Sequence, residues 1–186
     1  DLLVVGQFGT DAGISAVATG SNIINLVTFV ITALVMGVTV LISRYLGEKR
    51  NERIGGVIGG TVCFFVIFTA VIMALLLFLA SVFVSLLNAP EQAYDLTVQY
   101  VRICGVGIVF VVAYNVISGI FRGLGNSKLP LIFVLIACIV NVIGDLLFVA
   151  VFHMNVAGAA LATILAQAVS VVLSLFIIRR QKLPFT

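Results

Sequence analysis

Five long stretches of the chain are almost unbroken in apolar residues, at about 14 to 43, 55 to 87, 96 to 121, 130 to 152 and 157 to 178, each closed off by charges or turn residues. A helix needs roughly 20 apolar residues to cross a bilayer core of about 30 Å, so each stretch predicts a membrane-spanning helix. The stretches at 14 to 43 and 55 to 87 exceed that length, which predicts tilt, kinks or extension beyond the bilayer. Residues 1 to 8 are mostly apolar too, but so short a helix reaches only about 12 Å, and they read as a sixth span cut short. The chain is therefore expected to be part of a longer polypeptide. Turn chemistry agrees with these limits. Gly47 and Gly125 follow helix ends bearing Arg44 and Arg122, as a glycine stop with cations at the negative helix terminus requires. Pro130 falls where an opening helical turn tolerates its missing N–H, and Asn88, Ala89 and Pro90 close the second stretch.

Composition sharpens this to an all-α, polytopic membrane helix bundle. Hydrophobic residues make up 62% of the chain and charged residues 9%, with a mean hydropathy of +1.32; a soluble domain carries about 25% charge. Nine of the ten Lys and Arg fall into three clusters: Arg44, Lys49, Arg50 and Arg53; Arg122 and Lys128; Arg179, Arg180 and Lys182. The segments between them, Asn88 to Asp95 and Phe152 to Gly158, carry Glu91, Asp95 and His153 but no Lys or Arg. By the positive-inside rule, loops 44–53, 122–128 and 179–182 are cytoplasmic in a multi-pass plasma-membrane protein. The net charge of +3 is thus a topology signal and gives no reason for a nucleic-acid partner. Arg102 is the exception, about two turns into its helix, where it can snorkel outward or pair with Asp95. Cys63, Cys104 and Cys138 stand on separate helices without paired spacing and read as small packing residues. His153 has no second ligand at metal spacing. The small residues Gly55, Gly56, Gly59 and Gly60, and Ala157, Gly158, Ala159, Ala160 and Ala162, predict close helix–helix approach.

Polar residues inside the apolar stretches carry the candidate chemistry. Asp145 lies near the middle of the 130 to 152 stretch, with Asn141 one turn before it on the same face. A carboxylate at such a depth costs about 2.5 to 3.5 kcal/mol on insertion scales and is by default a functional site. An amide oxygen beside it suits a proton or a small hard cation. The alternative is a protonated Asp tying two helices together. Uncharged polar groups accompany it: Ser15, Thr19, Asn22 and Asn25; Tyr114, Asn115 and Ser118; Thr163, Gln167 and Ser170. Ser15, Thr19 and Asn22, and likewise Thr163, Gln167 and Ser170, follow helical spacing and form stripes that lipid does not accommodate. They line a polar cavity or bond neighbouring helices. Asn22, Asn25, Tyr114, Asn115, Ser118 and Gln167 are the candidates for a substrate cavity.

Several segments resemble the multidrug and toxic compound extrusion (MATE) transporters. They are DLLVVGQFG at 1–9, RYLGEKR at 44–50, GIFRGLGNSKLP at 119–130, NVIGD at 141–145 and VAGAALATILAQ at 156–167. The resemblance runs from end to end of the chain. It implies a twelve-helix transporter of two six-helix lobes related by pseudo-twofold symmetry, of which residues 1–186 are the N-terminal lobe and the C-terminal lobe is the missing partner. The branch resembling the DNA-damage-inducible F type further implies an N-lobe cation site. It joins an Asp of the first helix, an Asn and Asp of the fifth and a Thr of the sixth, matched here by Asp1, Asn141, Asp145 and Thr163. Gln167, one turn beyond Thr163, extends that polar face toward a substrate cavity. The function so implied is antiport: amphipathic organic cations or drugs leave in exchange for inward H+ or Na+, with Na+ a possible metal at those four residues. No enzyme activity and no cofactor other than the coupling ion are implied.

Three other readings compete. A lipid-linked saccharide flippase of the same superfamily would share the lobe but calls for several cations deep in its spans, and only Arg102 lies within one. An intramembrane aspartyl protease would pair Tyr94-Asp95 with Gly144-Asp145, yet position 142 is Val where that motif needs Gly. A non-transporting structural membrane subunit is the third.

Overall fold

The structure, a computed structural model, describes residues 1–180 and is built of helices. Short α1 (Leu2–Phe8) turns at Gly9 into α2 (Asp11–Gly47), where Thr10 caps the new helix by accepting a 3.1 Å hydrogen bond from Gly13 N. After a turn with Lys49 at φ 58°, α3 (Asn51–Phe78) and α4 (Ala80–Leu86) follow. A single 3₁₀ turn (Glu91–Ala93) leads into α5 (Tyr94–Gly123). Then come α6 (Lys128–Asp145), a π-helical turn (Leu146–Val151) and α7 (Asn155–Arg180). Among the described residues five helices are long and apolar enough to span a membrane, and the protein is a multi-pass membrane protein. Lys182 of the third basic cluster lies outside the described residues.

The expected 55 to 87 helix is in fact two. The backbone bends at Leu79 (φ −105°, ψ 13°), although Leu79 N and Phe83 N still bond their i−4 carbonyls at 2.9 and 3.1 Å. Tyr94 fixes the bent segment, its hydroxyl donating to the Ser81 carbonyl at 3.1 Å and lying 3.2 Å from Ser85 Oγ. The expected 130 to 152 helix likewise changes to a π turn directly after Asp145.

α5 is the central post. Half of its most apolar stretch (50%) is buried inside the protein, against 17 to 28% for the other four spans; it packs on α2, α3 and α7. α2 and α5 run side by side in the same direction, tied along their length by hydroxyls. Thr39 Oγ1 donates to the Gly119 carbonyl at 3.0 Å and Ser43 Oγ to the Gly123 carbonyl at 3.0 Å, while Ser21 Oγ lies 3.3 Å from the Tyr100 hydroxyl. These bonds require backbones in near contact. A Cβ at Gly119 would collide with Val35, and one at Gly123 would sit 2.9 Å from Ile42 Cβ. The Ser43 bond also places the 44–53 and 122–128 basic loops at one end of the bundle.

The small residues behave unequally. Ala159, Ala160 and Ala162 are fully buried, and Gly158 lies against Phe148, as close packing predicts. Gly55, Gly56, Gly59 and Gly60 do not pack: a Cβ at any of them would meet nothing within 4 Å. That glycine face of α3 is exposed. Cys104 is buried in the core, whereas Cys63 and Cys138 are exposed on outer faces. Arg102 is exposed, and among the described residues it forms no ion pair with Asp95; seven residues along a helix separate them by about 10 Å.

Candidate functional site

Three elements bring Asp1, Asn141, Asp145 and Thr163 together. Gly144 lets α6 approach α7: its Cβ position would be 3.0 Å from Ala162 Cβ, so the α6 face bearing Asn141 and Asp145 meets the α7 face bearing Thr163. Asn141 Nδ2 donates to Thr163 Oγ1 at 3.3 Å. The Thr163 hydroxyl proton has two acceptors in reach, Asp1 Oδ2 at 2.9 Å and the Ala159 carbonyl at 3.0 Å. Asp145 is 1% exposed, and its Oδ2 lies 2.9 Å from the main-chain nitrogen of Asp1. Beyond that contact neither Asp145 oxygen has a hydrogen-bond partner among the described residues. A buried carboxylate with that one contact, beside a second carboxylate, an amide and a hydroxyl, is a set of hard oxygen donors, suited to a proton or Na+ and not to a soft metal.

The far end of α1 is held by a residue that sequence reasoning passed over. Asn155, left-handed at φ 48°, donates from Nδ2 to Thr10 Oγ1 at 3.1 Å. Its Oδ1 occupies the space where a Cβ on Gly9 or Gly13 would stand. The α1 segment between Asp1 and Thr10 is thus pinned to α7 at both ends. An Asn at a loop-to-helix junction, next to glycines far away in sequence, gives no sign of this pairing.

The cavity candidates differ in how their polar groups are engaged. Gln167 Oε1 and Ser118 Oγ are buried with no hydrogen-bond partner among the described residues. Tyr114 donates to the Pro130 carbonyl at 3.3 Å, tying α5 to the start of α6. Asn115 donates to the Val111 carbonyl at 2.8 Å and accepts from Thr32 Oγ1 at 3.3 Å. Asn22 and Asn25 are exposed on α2; Asn22 borders an apolar pocket of about 410 Å³ with Leu26, Ile72 and Phe83. The 163, 167, 170 stripe divides, because buried Ser170 donates to the Phe133 carbonyl at 2.9 Å and serves as a helix tie. Outside the membrane, Glu48 has its carboxyl held below the usual range by the hydrogen bond from Arg44 at 2.8 Å, with the nearby positive charges of Arg44, Arg50 and Arg53 adding to it.

A protein-family model described as MatE matches residues 1–147. The chain belongs to the MatE family. Among curated relatives of the family, the probable multidrug resistance protein YpnP of Bacillus subtilis (strain 168) is 33% identical over 100% of this chain and 42% of its own length. DNA damage-inducible protein F of Escherichia coli (strain K12) is 22% identical over 97% of this chain and 39% of its own. A solved MATE family transporter of the MOP superfamily, multidrug resistance type and in an inward-facing conformation, superposes with a TM-score of 0.91 at 20% identity, covering 98% of this chain and 42% of that one. The chain spans about two-fifths of the length of the relatives it matches, and its fold is that of one lobe of MATE transporters.

Proposed function

We propose that this chain is the N-terminal lobe of a two-lobe antiporter that exports amphipathic organic cations or drugs in exchange for inward H+ or Na+. The observation that carries the reading is the convergence of Asp1, Asn141, Asp145 and Thr163 around a carboxylate with almost no solvent access. A bare carboxylate there is costly; a proton or Na+ neutralises it. Because Thr163 bonds both Asp1 and Asn141, neutralising the site changes the contacts that hold α1 against α6 and α7. Exchange follows if cation and drug prefer different arrangements of these helices. Of the cavity candidates, Gln167 and Ser118 have oxygens to spare for a substrate, whereas Tyr114 and Asn115 are engaged in helix ties. The basic end of the bundle faces the cytoplasm of a plasma membrane, and the remaining length of the polypeptide supplies the second lobe.

The test is efflux of a fluorescent organic cation from vesicles bearing the full-length protein, under separately imposed proton and sodium gradients. Stimulation by one gradient names the coupling ion, and Asp145→Asn abolishes it. Gradient-driven efflux retained in Asp145→Asn refutes the site.

A further inference from the structure

At the basic end of the bundle α2 and α3 diverge from their connecting turn and leave a cleft of about 390 Å³ between them. Gly37 and Leu41 stand on one wall; Val57, Gly60 and Phe64 stand on the other. Glycine is disfavoured inside helices, yet a Cβ at Gly37 or Gly60 would meet nothing within 4 Å. These glycines therefore widen the cleft without serving any contact between its walls. Arg53, Val57, Gly60 and Phe64 are spaced i, i+4, i+7 and i+11, one stripe along α3, so Arg53 stands at the cleft's mouth. From Arg53 to Phe64 the stripe is about 16 Å long, half of a bilayer core of about 30 Å, the depth of one leaflet.

The mouth is positively charged. Residues 44–53 hold four cations (Arg44, Lys49, Arg50, Arg53) and two carboxylates (Glu48, Glu52), a balance of +2. Glu48 engages Arg44 at 2.8 Å and Arg50 at 3.4 Å. Lys49 and Arg53 are exposed and, among the described residues, pair with no carboxylate. We propose that the α2–α3 cleft binds an anionic phospholipid, one acyl chain lying between Gly37 and Gly60 and the headgroup phosphate held by Arg53 and Lys49. The apolar cleft accepts the acyl chain of any lipid, and the two free cations select an anionic headgroup. This site is separate from the Asp145 cluster and does not depend on the transport reading.

The experiment uses the full-length protein carrying Phe64→Trp, since the chain has no tryptophan of its own, with the unsubstituted protein as fluorescence blank. It is reconstituted in phosphatidylcholine vesicles containing acyl-chain-brominated phosphatidylglycerol or brominated phosphatidylcholine. Brominated phosphatidylglycerol is expected to quench at about 5- to 30-fold lower mole fraction than the choline lipid, the range for two surface cations. Lys49→Gln with Arg53→Gln should close most of that gap. Gly60→Leu, whose side chain enters open space, should reduce quenching by both lipids; unchanged circular dichroism checks the fold. Equal quenching by the two lipids in the reporter protein overturns the headgroup assignment. Little quenching by either shows the cleft covered by protein, another part of the polypeptide or a second copy, and overturns the proposal outright. Quenching unaltered by Gly60→Leu places the lipid elsewhere and overturns it as well.

Discussion

Gly119→Ala puts the packing of the central helices to a direct test. The added methyl collides with Val35, a side chain 1% exposed and without room to turn away, so α2 and α5 must part by roughly 1 Å to restore ordinary carbon–carbon contact. Overpacking of this kind costs about 1–3 kcal/mol. Parting also stretches the hydroxyl bonds from Thr39 and Ser43 to α5 carbonyls, each worth about 0.6 kcal/mol between membrane helices. The total is about 2–4 kcal/mol, which raises the population of opened molecules roughly 30- to 1,000-fold at 1.36 kcal/mol per tenfold. Cys104 reports the opening: it is buried on α5, whereas Cys63 and Cys138 are exposed. In full-length protein with Cys63 and Cys138 replaced by Ala, maleimide modification of the peptide containing Cys104 should accelerate by that factor. Gly37→Ala, which meets no neighbour, should leave the rate within a few-fold. A Cys104 rate unchanged by Gly119→Ala refutes the tight parallel α2–α5 pairing.

Three further outcomes are expected. Thr163→Val keeps the side-chain shape but removes the hydroxyl shared by Asp1 and Asn141; it should weaken ion-driven efflux at least tenfold, Thr163→Ser should restore most of it, and full activity in the Val variant would show the hydroxyl idle. Asn155→Gly should cost less than Asn155→Ala by about 1 kcal/mol in thermal unfolding, because φ 48° is strained for alanine, while both should speed amide exchange across Val4–Thr10; unchanged exchange would mean that the Asn155–Thr10 bond does not hold α1. The Glu48 carboxyl, its pKa depressed chiefly by the Arg44 hydrogen bond, contributes its pairing above the unfolded pKa and loses it as pH falls through the lower folded value. Carboxyl NMR should show it titrating below the ordinary glutamate value of about 4.3 and moving up towards that value in Arg44→Gln, where Arg50 still lies 3.4 Å away.

Much of the site could be read before the fold was known. Asn141 and Asp145 share a helix face by spacing alone, and that face does meet α7 at Thr163. The small residues of 157–162 were legible as packing because alanines in an apolar helix have little other use. The same argument misled at Gly55–Gly60: a glycine pattern states that a surface is flat and leaves open whether anything lies against it. The bend at Leu79 and the π turn after Asp145 have no marker, since neither LFLAS at 77–81 nor LLFVAV at 146–151 contains Gly or Pro. The hydroxyls of Thr39 and Ser43 look like lone helical residues satisfying their own backbones. The parallel register of α2 and α5 adds a neighbouring carbonyl: that of Gly119 for Thr39 at 3.0 Å, beside its own Val35 carbonyl at 3.1 Å, and that of Gly123 for Ser43 at 3.0 Å. Tyr114 and Asn115, candidates for the cavity, hold helix ties for a related reason: polarity inside a span shows that a partner exists and does not say whether that partner is substrate or protein.

The placement of Asp145 among α1, α6 and α7 also fixes when its surroundings come into being during synthesis. Of the groups around it, Asp1 is made early and Thr163 is made 18 residues after Asp145 itself. If α6 is delivered to the lipid alone, its carboxyl group meets lipid with nothing to receive it. Delivered as a hairpin with α7 across the short turn at 152–154, the helix arrives with the Gly144–Ala162 contact and the Thr163 hydroxyl already alongside. A nascent chain halted between residues 145 and 163 therefore holds Asp145 in the bilayer without the α7 wall of its pocket.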